Sequence, residues 1–175
     1  TSPRNTGDSP RYLLFVGTLG PRKNLQIVLE AWREIRRSHT VELVIVGRGD
    51  LPPESGLRHL GPVPDSELPT LYSNATALVF PSLYEGFGLP VLEAMSFGIP
   101  VIASRDPALM EVSGGAALHA DALIAREWIA AIRTVLDDPQ PWRQASLARA
   151  AQFSWERTAR LTYDVYQEAI ARFGR

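Results

Sequence analysis

Two glutamates, Glu85 and Glu93, flank the turn Gly86-Phe87-Gly88-Leu89-Pro90, which follows the short apolar run Ala77-Leu78-Val79-Phe80 and Pro81. Four apolar residues stopped by a proline predict a strand. Gly86 and Gly88 permit backbone angles and close approaches that a side chain would forbid, and Pro90 suits the first turn of a helix, where its missing N–H goes unneeded. A helix is therefore predicted from Leu89 or Pro90 to Phe97, with Gly98 as a left-handed stop and Pro100 preventing continuation. This puts Glu85 in the loop and Glu93 in the first helical turn. Free N–H groups and the positive end of the helix dipole meet there, so phosphate can be held with few basic side chains. Carboxylates repel phosphate, which leaves Glu85 and Glu93 as acceptors for hydroxyl groups. A substrate with hydroxyls on both sides of a diphosphate is a nucleotide sugar.

A strand, a glycine turn and a helix must also position the other concentrated charge near a glycine loop, Arg22-Lys23. Tyr12-Leu13-Leu14-Phe15-Val16 is a nearly continuous apolar run ending at Gly17, as in a strand buried on both faces of a parallel sheet. After Gly17-Thr18-Leu19-Gly20-Pro21-Arg22-Lys23-Asn24, Asn24 is placed to cap a helix whose apolar face is Leu25, Val28, Leu29, Trp32 and Ile35. Residues 41–47 predict a second strand and 57–61 a short third. A short helix opens at Pro64-Asp65-Ser66 with Asp65 as cap and Leu68, Leu71 and Tyr72 inward. Val101-Ile102-Ala103 is a further strand, followed by a loop near which Glu111 lies with no role assigned to it. Helices are predicted over 122–136 and 141–152, and a last one, capped by Ser154, carries Trp155, Ala159, Thr162, Tyr163, Tyr166, Ile170 and Phe173 on one side, read as core packing. Alternating strands and helices imply an α/β fold, a Rossmann-like doubly wound parallel sheet with a carboxy-terminal helical segment. Such sheets bind ligands beyond the carboxyl ends of their strands, where both glycine loops lie.

With 18 Lys and Arg against 19 Asp and Glu, the net charge of −1 offers no basic field for nucleic acid. The absence of cysteine excludes disulfides and thiol catalysis, and His39, His59 and His119 lack paired ligand spacing, so no metal site is expected. His59 and His119 read as structural, and Arg48 and Asp50 as loop residues. No apolar stretch approaches membrane-spanning length. Residues 1–10 read as a linker or chain edge, and 11–175 as a single nucleotide-sugar-binding domain.

Glu85-Gly86-Phe87-Gly88-Leu89-Pro90-Val91-Leu92-Glu93, preceded by Phe80-Pro81-Ser82 and followed by Ala94-Met95 and Gly98-Ile99-Pro100-Val101-Ile102-Ala103, resembles the "group 1" retaining glycosyltransferases with the two-domain B-type fold. Phe15-Val16-Gly17-Thr18-Leu19-Gly20-Pro21-Arg22-Lys23-Asn24 and Val44-Ile45-Val46-Gly47-Arg48-Gly49 match the same family. The resemblance covers residues 12–168 and is to the carboxy-terminal, donor-binding half. It implies that an amino-terminal acceptor domain is absent from this chain and that the isolated half transfers little or nothing.

The resemblance further implies that Lys23 and Arg22 bind the donor diphosphate near Gly17 and Thr18, that Glu93 accepts from the ribose, and that Glu85 orients the transferred sugar. The backbone of Gly86, Phe87, Gly88 and Leu89 would support sugar and phosphate, and that around Leu60 to Val63 would face the nucleobase. Many members have Arg after the first-strand glycine; Thr18 stands there here, leaving one cation fewer. The variant Gly17-Thr18-Leu19-Gly20-Pro21-Arg22-Lys23-Asn24 resembles mannosyltransferases, so the implied donor is GDP-mannose, with UDP sugars as the other class, and the product a polysaccharide, lipid-linked oligosaccharide or surface glycan. No metal or cofactor is implied, and the full-length enzyme would be cytoplasmic, peripherally at the inner face of the membrane. Two alternatives stay open: half of a nucleotide-sugar epimerase, and a non-catalytic nucleotide-binding or partner-recruiting module.

Overall fold

A computed structural model describes residues 10–173; apart from Pro10, the stretch read as a linker or chain edge lies outside the described residues. Six strands form one parallel sheet: β1 (Tyr12–Val16), β2 (Glu42–Val46), β3 (Leu57–Gly61), β4 (Ala77–Phe80), β5 (Val101–Ser104) and β6 (Leu118–Ala120). Their order across the sheet is β3-β2-β1-β4-β5-β6. Among the described residues seven α-helices accompany it: α1 (Leu25–Ile35), α2 (Leu68–Asn74), α3 (Leu89–Ser96), α4 (Pro107–Ser113), α5 (Ala125–Asp137), α6 (Gln140–Ala150) and α7 (Trp155–Phe173). The doubly wound parallel sheet expected from the alternation is the fold observed.

Side chains alternate across a strand, and that period sorts the core into two layers. Leu13 and Phe15 of β1, Leu43 and Ile45 of β2, and Ala77 and Val79 of β4 pack with α1 and α5. Tyr12, Leu14, Val44, Val46, Leu78 and Phe80 pack instead toward α2, α3 and α4. Burial on both faces is why these strands read as continuous apolar runs. In the first layer Trp32 and Trp128 are fully buried, and each indole N–H has a carbonyl partner, Val41 and Asp121, at 2.9 Å.

Several expectations need correction. Glu111, left open near a loop, lies in helix α4, which Asp106 caps by accepting from the amides of Ala108 and Leu109 and Pro107 opens. Residues 118–120 form β6, so the helix expected from 122 begins at Ala125. Asn24 stands at the start of α1 but caps nothing with its side chain, which donates to Ala122 O at 2.7 Å. Asp65 is no cap either, since α2 begins at Leu68 after Glu67. Ser154 does cap α7, accepting from Arg157 N at 3.1 Å. The apolar and aromatic stripe of α7 is not core: every residue of the helix is exposed, Trp155 to 77% and Phe173 to 81%.

Candidate functional site

The chain leaves β1 for β2 and β3 on one side, and β4 continues to β5 and β6 on the other. β1 and β4 are neighbours at this reversal, where adjacent loops part above the sheet and leave a crevice at the carboxyl ends of the strands. The loop after β1 carries Arg22 and Lys23, and the loop after β4 carries Glu85. Sixty-two residues apart in sequence, the two turns are joined by backbone and side chain: Leu83 N donates to Arg22 O, and Arg22 Nη1 to Tyr84 O, both at 2.8 Å.

Lys23 closes the 3-10 turn Pro21–Lys23, which aims its side chain back over the end of β1. Its Nζ is 2.6 Å from Glu85 Oε1 and 4.4 Å from the centre of the Phe80 ring. Arg22 Nη1 approaches the same oxygen at 2.9 Å. Gly17 makes room for this path, since a Cβ there would lie 3.2 Å from the Lys23 Cε in a backbone with φ +153°. One carboxylate oxygen thus takes two cations, with only 11% of the Lys23 and Glu85 side chains exposed. Burial pushes the Glu85 carboxyl upward, but hydrogen bonds from Lys23, Ser82 and Arg22 and the Lys23 charge outweigh it and hold it below the usual carboxylate range. The Ser82 hydroxyl is fully buried and makes no hydrogen bond of ordinary geometry, yet lies close enough to favour ionised Glu85.

Next along the loop, Gly88 adopts φ +93° at the entry to α3, and a Cβ there would sit 2.5 Å from Leu109 Cδ2. Gly86 differs from expectation: it has no left-handed φ, and a Cβ would meet nothing within 4 Å. Nothing within the protein demands glycine there; the space over it is open. Among the described residues no acceptor takes the amides of Gly86, Phe87, Gly88 and Leu89, so unpaired N–H groups gather at the positive end of α3. Phe87 and Leu89 are about half exposed beside them.

Glu93 sits in the second turn of α3 rather than the first, since the helix starts at Leu89. It does not join the ion cluster. Its Oε2 accepts from the Tyr72 hydroxyl at 2.8 Å, and the buried Tyr72 ring stacks on Phe97 with centroids 5.6 Å apart. Thr18 is exposed next to Gly17, Leu60 is exposed on edge strand β3, and half-buried Val63 follows that strand and packs on the second core layer. His59 Nε2 lies 2.9 Å from Gly47 O, and His119 bridges Ser113 Oγ and Ser104 O. Tyr72 and Ser82 are the residues sequence reading did not place at the site. Tyr72 was read only as inward, and no sequence spacing pairs it with Glu93. A separate cleft of about 770 Å³ between Arg11, Asn74, Phe97 and Arg143 lies at the opposite, amino-terminal end of the strands. Among the described residues no three His, Asp or Glu side chains are grouped to hold a metal.

The arrangement can present two cations and several N–H donors to an anion, with Glu85 among them as a hydroxyl acceptor and Glu93 further along α3 on Tyr72. The family described as glycosyl transferases group 1 matches residues 2–152. O-antigen chain mannosyltransferase B of Escherichia coli is 40% identical over 176 residues, covering 89% of this chain and 45% of the relative. MMP alpha-(1->4)-mannosyltransferase of Mycolicibacterium hassiacum is 35% identical over 170 residues, covering 87% and 41%. Sucrose-phosphate synthase from Thermosynechococcus elongatus superposes with a TM-score of 0.82 at 26% identity, over 96% of this chain and 47% of that structure. The chain spans about half the length of the relatives it matches.

Proposed function

The chain belongs to the glycosyl transferases group 1 family, and from that premise we propose that it is the donor-binding half of a retaining hexosyltransferase whose donor is GDP-mannose. The observation that carries the reading is the meeting of Arg22, Lys23 and Glu85 at the switch point, beside unpaired amides at the start of α3. Lys23 and Arg22 take the diphosphate together with the amides of Phe87, Gly88 and Leu89. Open space over Gly86 lets sugar and phosphate approach the backbone. Glu93 accepts from the ribose, Glu85 from hydroxyls of the sugar, and Leu60 and Val63 border the base.

Glycosyl transfer builds positive charge at the anomeric carbon and negative charge on the departing diphosphate. Fixed cations and N–H donors aimed at that diphosphate stabilise the transition state, and in this site they do the work that a metal does elsewhere. Front-face attack assisted by the leaving phosphate gives retention, with Glu85 orienting the sugar rather than attacking it. The acceptor, a glycan or a lipid-linked saccharide, is bound by an amino-terminal acceptor domain, to which the exposed apolar face of α7 offers a surface. Without that domain the isolated half binds nucleotide weakly and transfers little. No helix among the described residues is long and apolar enough to cross a membrane. The reading places the enzyme in the cytoplasm, working at the inner face of the membrane.

Calorimetric titration with GDP, UDP, GDP-mannose and UDP-glucose tests this. GDP-mannose is expected to bind best, and Glu93→Ala to weaken every nucleotide on the order of tenfold, as for a lost hydrogen bond to a charged group. A module that only recruits partners would bind none of the four, and unaltered affinities in Glu93→Ala would refute the ribose assignment.

A further inference from the structure

We propose that Tyr72 is a positioning residue for nucleotide recognition: its buried hydroxyl holds the Glu93 carboxylate in one orientation, leaving the carboxylate's free lone pairs for two adjacent ribose hydroxyls. The proposal rests on the reading of Glu93 as the ribose acceptor. Glu93 is exposed, and an exposed glutamate that must order itself on a ligand loses rotamer freedom at that moment. Here the ordering accompanies folding. Tyr72 is 1% exposed, its ring is clamped against Phe97 with planes 10° apart, and its hydroxyl reaches Oε2 at 2.8 Å.

An ionised carboxylate has roughly four acceptor sites and the phenol takes one, so Oε1 and the rest of Oε2 stay available to a vicinal diol. The direction of the bond is not in question. Burial first, then the Glu93 charge and the hydrogen bond, raise the Tyr72 hydroxyl far above its ordinary pKa, so it remains a donor. A phenylalanine would fill the same volume and stack on Phe97 as well. It would lack the hydroxyl that donates to Glu93 from α2, an element that otherwise serves the second core layer.

The experiment compares GDP with its 2′,3′-dideoxy analogue by calorimetry in wild type, Tyr72→Phe, Glu93→Ala and the double variant. Titrations are run at low temperature, with circular dichroism confirming that each variant is folded. Wild type should prefer GDP. In Tyr72→Phe that preference should shrink roughly five- to tenfold while the dideoxy affinity stays constant, and the double variant should match Glu93→Ala. A lower melting temperature with an intact preference would mean that the hydroxyl is only structural, which overturns the proposal. So would a double variant in which the two effects simply add. If Glu93→Ala itself keeps the preference, the ribose reading fails first; if it loses the preference and Tyr72→Phe keeps it, the positioning role alone fails.

Discussion

The two cations proposed for the diphosphate are held by the carboxylate proposed for the sugar. Glu85→Gln removes the charge and keeps the shape. Two unit charges about 4 Å apart attract by about 4 kcal/mol at an effective dielectric near 20. Desolvation of two side chains only 11% exposed takes back much of that, leaving roughly 1–2 kcal/mol of net coupling between fully screened and buried pairs. Any anion that takes over Lys23 and Arg22 must overcome this. Glu85→Gln should therefore bind bare GDP more tightly than wild type, by roughly 5- to 30-fold. The same variant should lose discrimination between GDP-mannose and GDP, because the sugar's acceptor has gone.

Acid should mimic the substitution. The Glu85 pKa is depressed in the folded chain, so its ion pairs contribute stability that is fully present above the ordinary carboxylate value of about 4.3 and is lost as pH falls through the lower folded value. Across pH 5–8 the difference between wild type and Glu85→Gln should hold constant, and it should close only in stronger acid. Isothermal titration of both proteins with GDP and GDP-mannose at two salt concentrations makes the measurement. GDP affinity that is equal or weaker in Glu85→Gln would refute the idea that the carboxylate competes with phosphate.

Two further expectations concern the scaffold. Gly88→Ala places a Cβ 2.5 Å from Leu109 in a left-handed backbone, so chemical denaturation should show a loss of about 1–3 kcal/mol, with the amides at the head of α3 displaced. Removing residues from 154 onward deletes a helix with no buried residue, so the melting temperature of the remaining domain should change by less than about 2 °C; a large drop would mean that α7 stabilises the sheet.

Where pattern is local, chemistry alone was enough to read it. Apolar runs ended by Gly17 and Pro81 marked β1 and β4, the 3.6-residue spacing of Leu25, Val28, Leu29, Trp32 and Ile35 marked α1, and Pro90 with Gly98 bracketed α3. Doubly buried strands follow from those runs because only a parallel sheet covered on both sides hides them. The signal for α4 lies in Asp106-Pro107, a cap followed by a first-turn proline, whereas β6 is a three-residue edge strand that sequence period cannot distinguish from a turn.

Contacts between distant segments had to await the folded chain. An amphipathic stripe says that a helix has an apolar side, not what lies against it, which is why α7 read as core and is exposed. Strand order is what brings Lys23 to Glu85 across sixty-two residues, and the packing of α2 on α3 is what gives Glu93 its tyrosine. Neither pairing has a sequence period, because each depends on which surfaces meet once the sheet has closed.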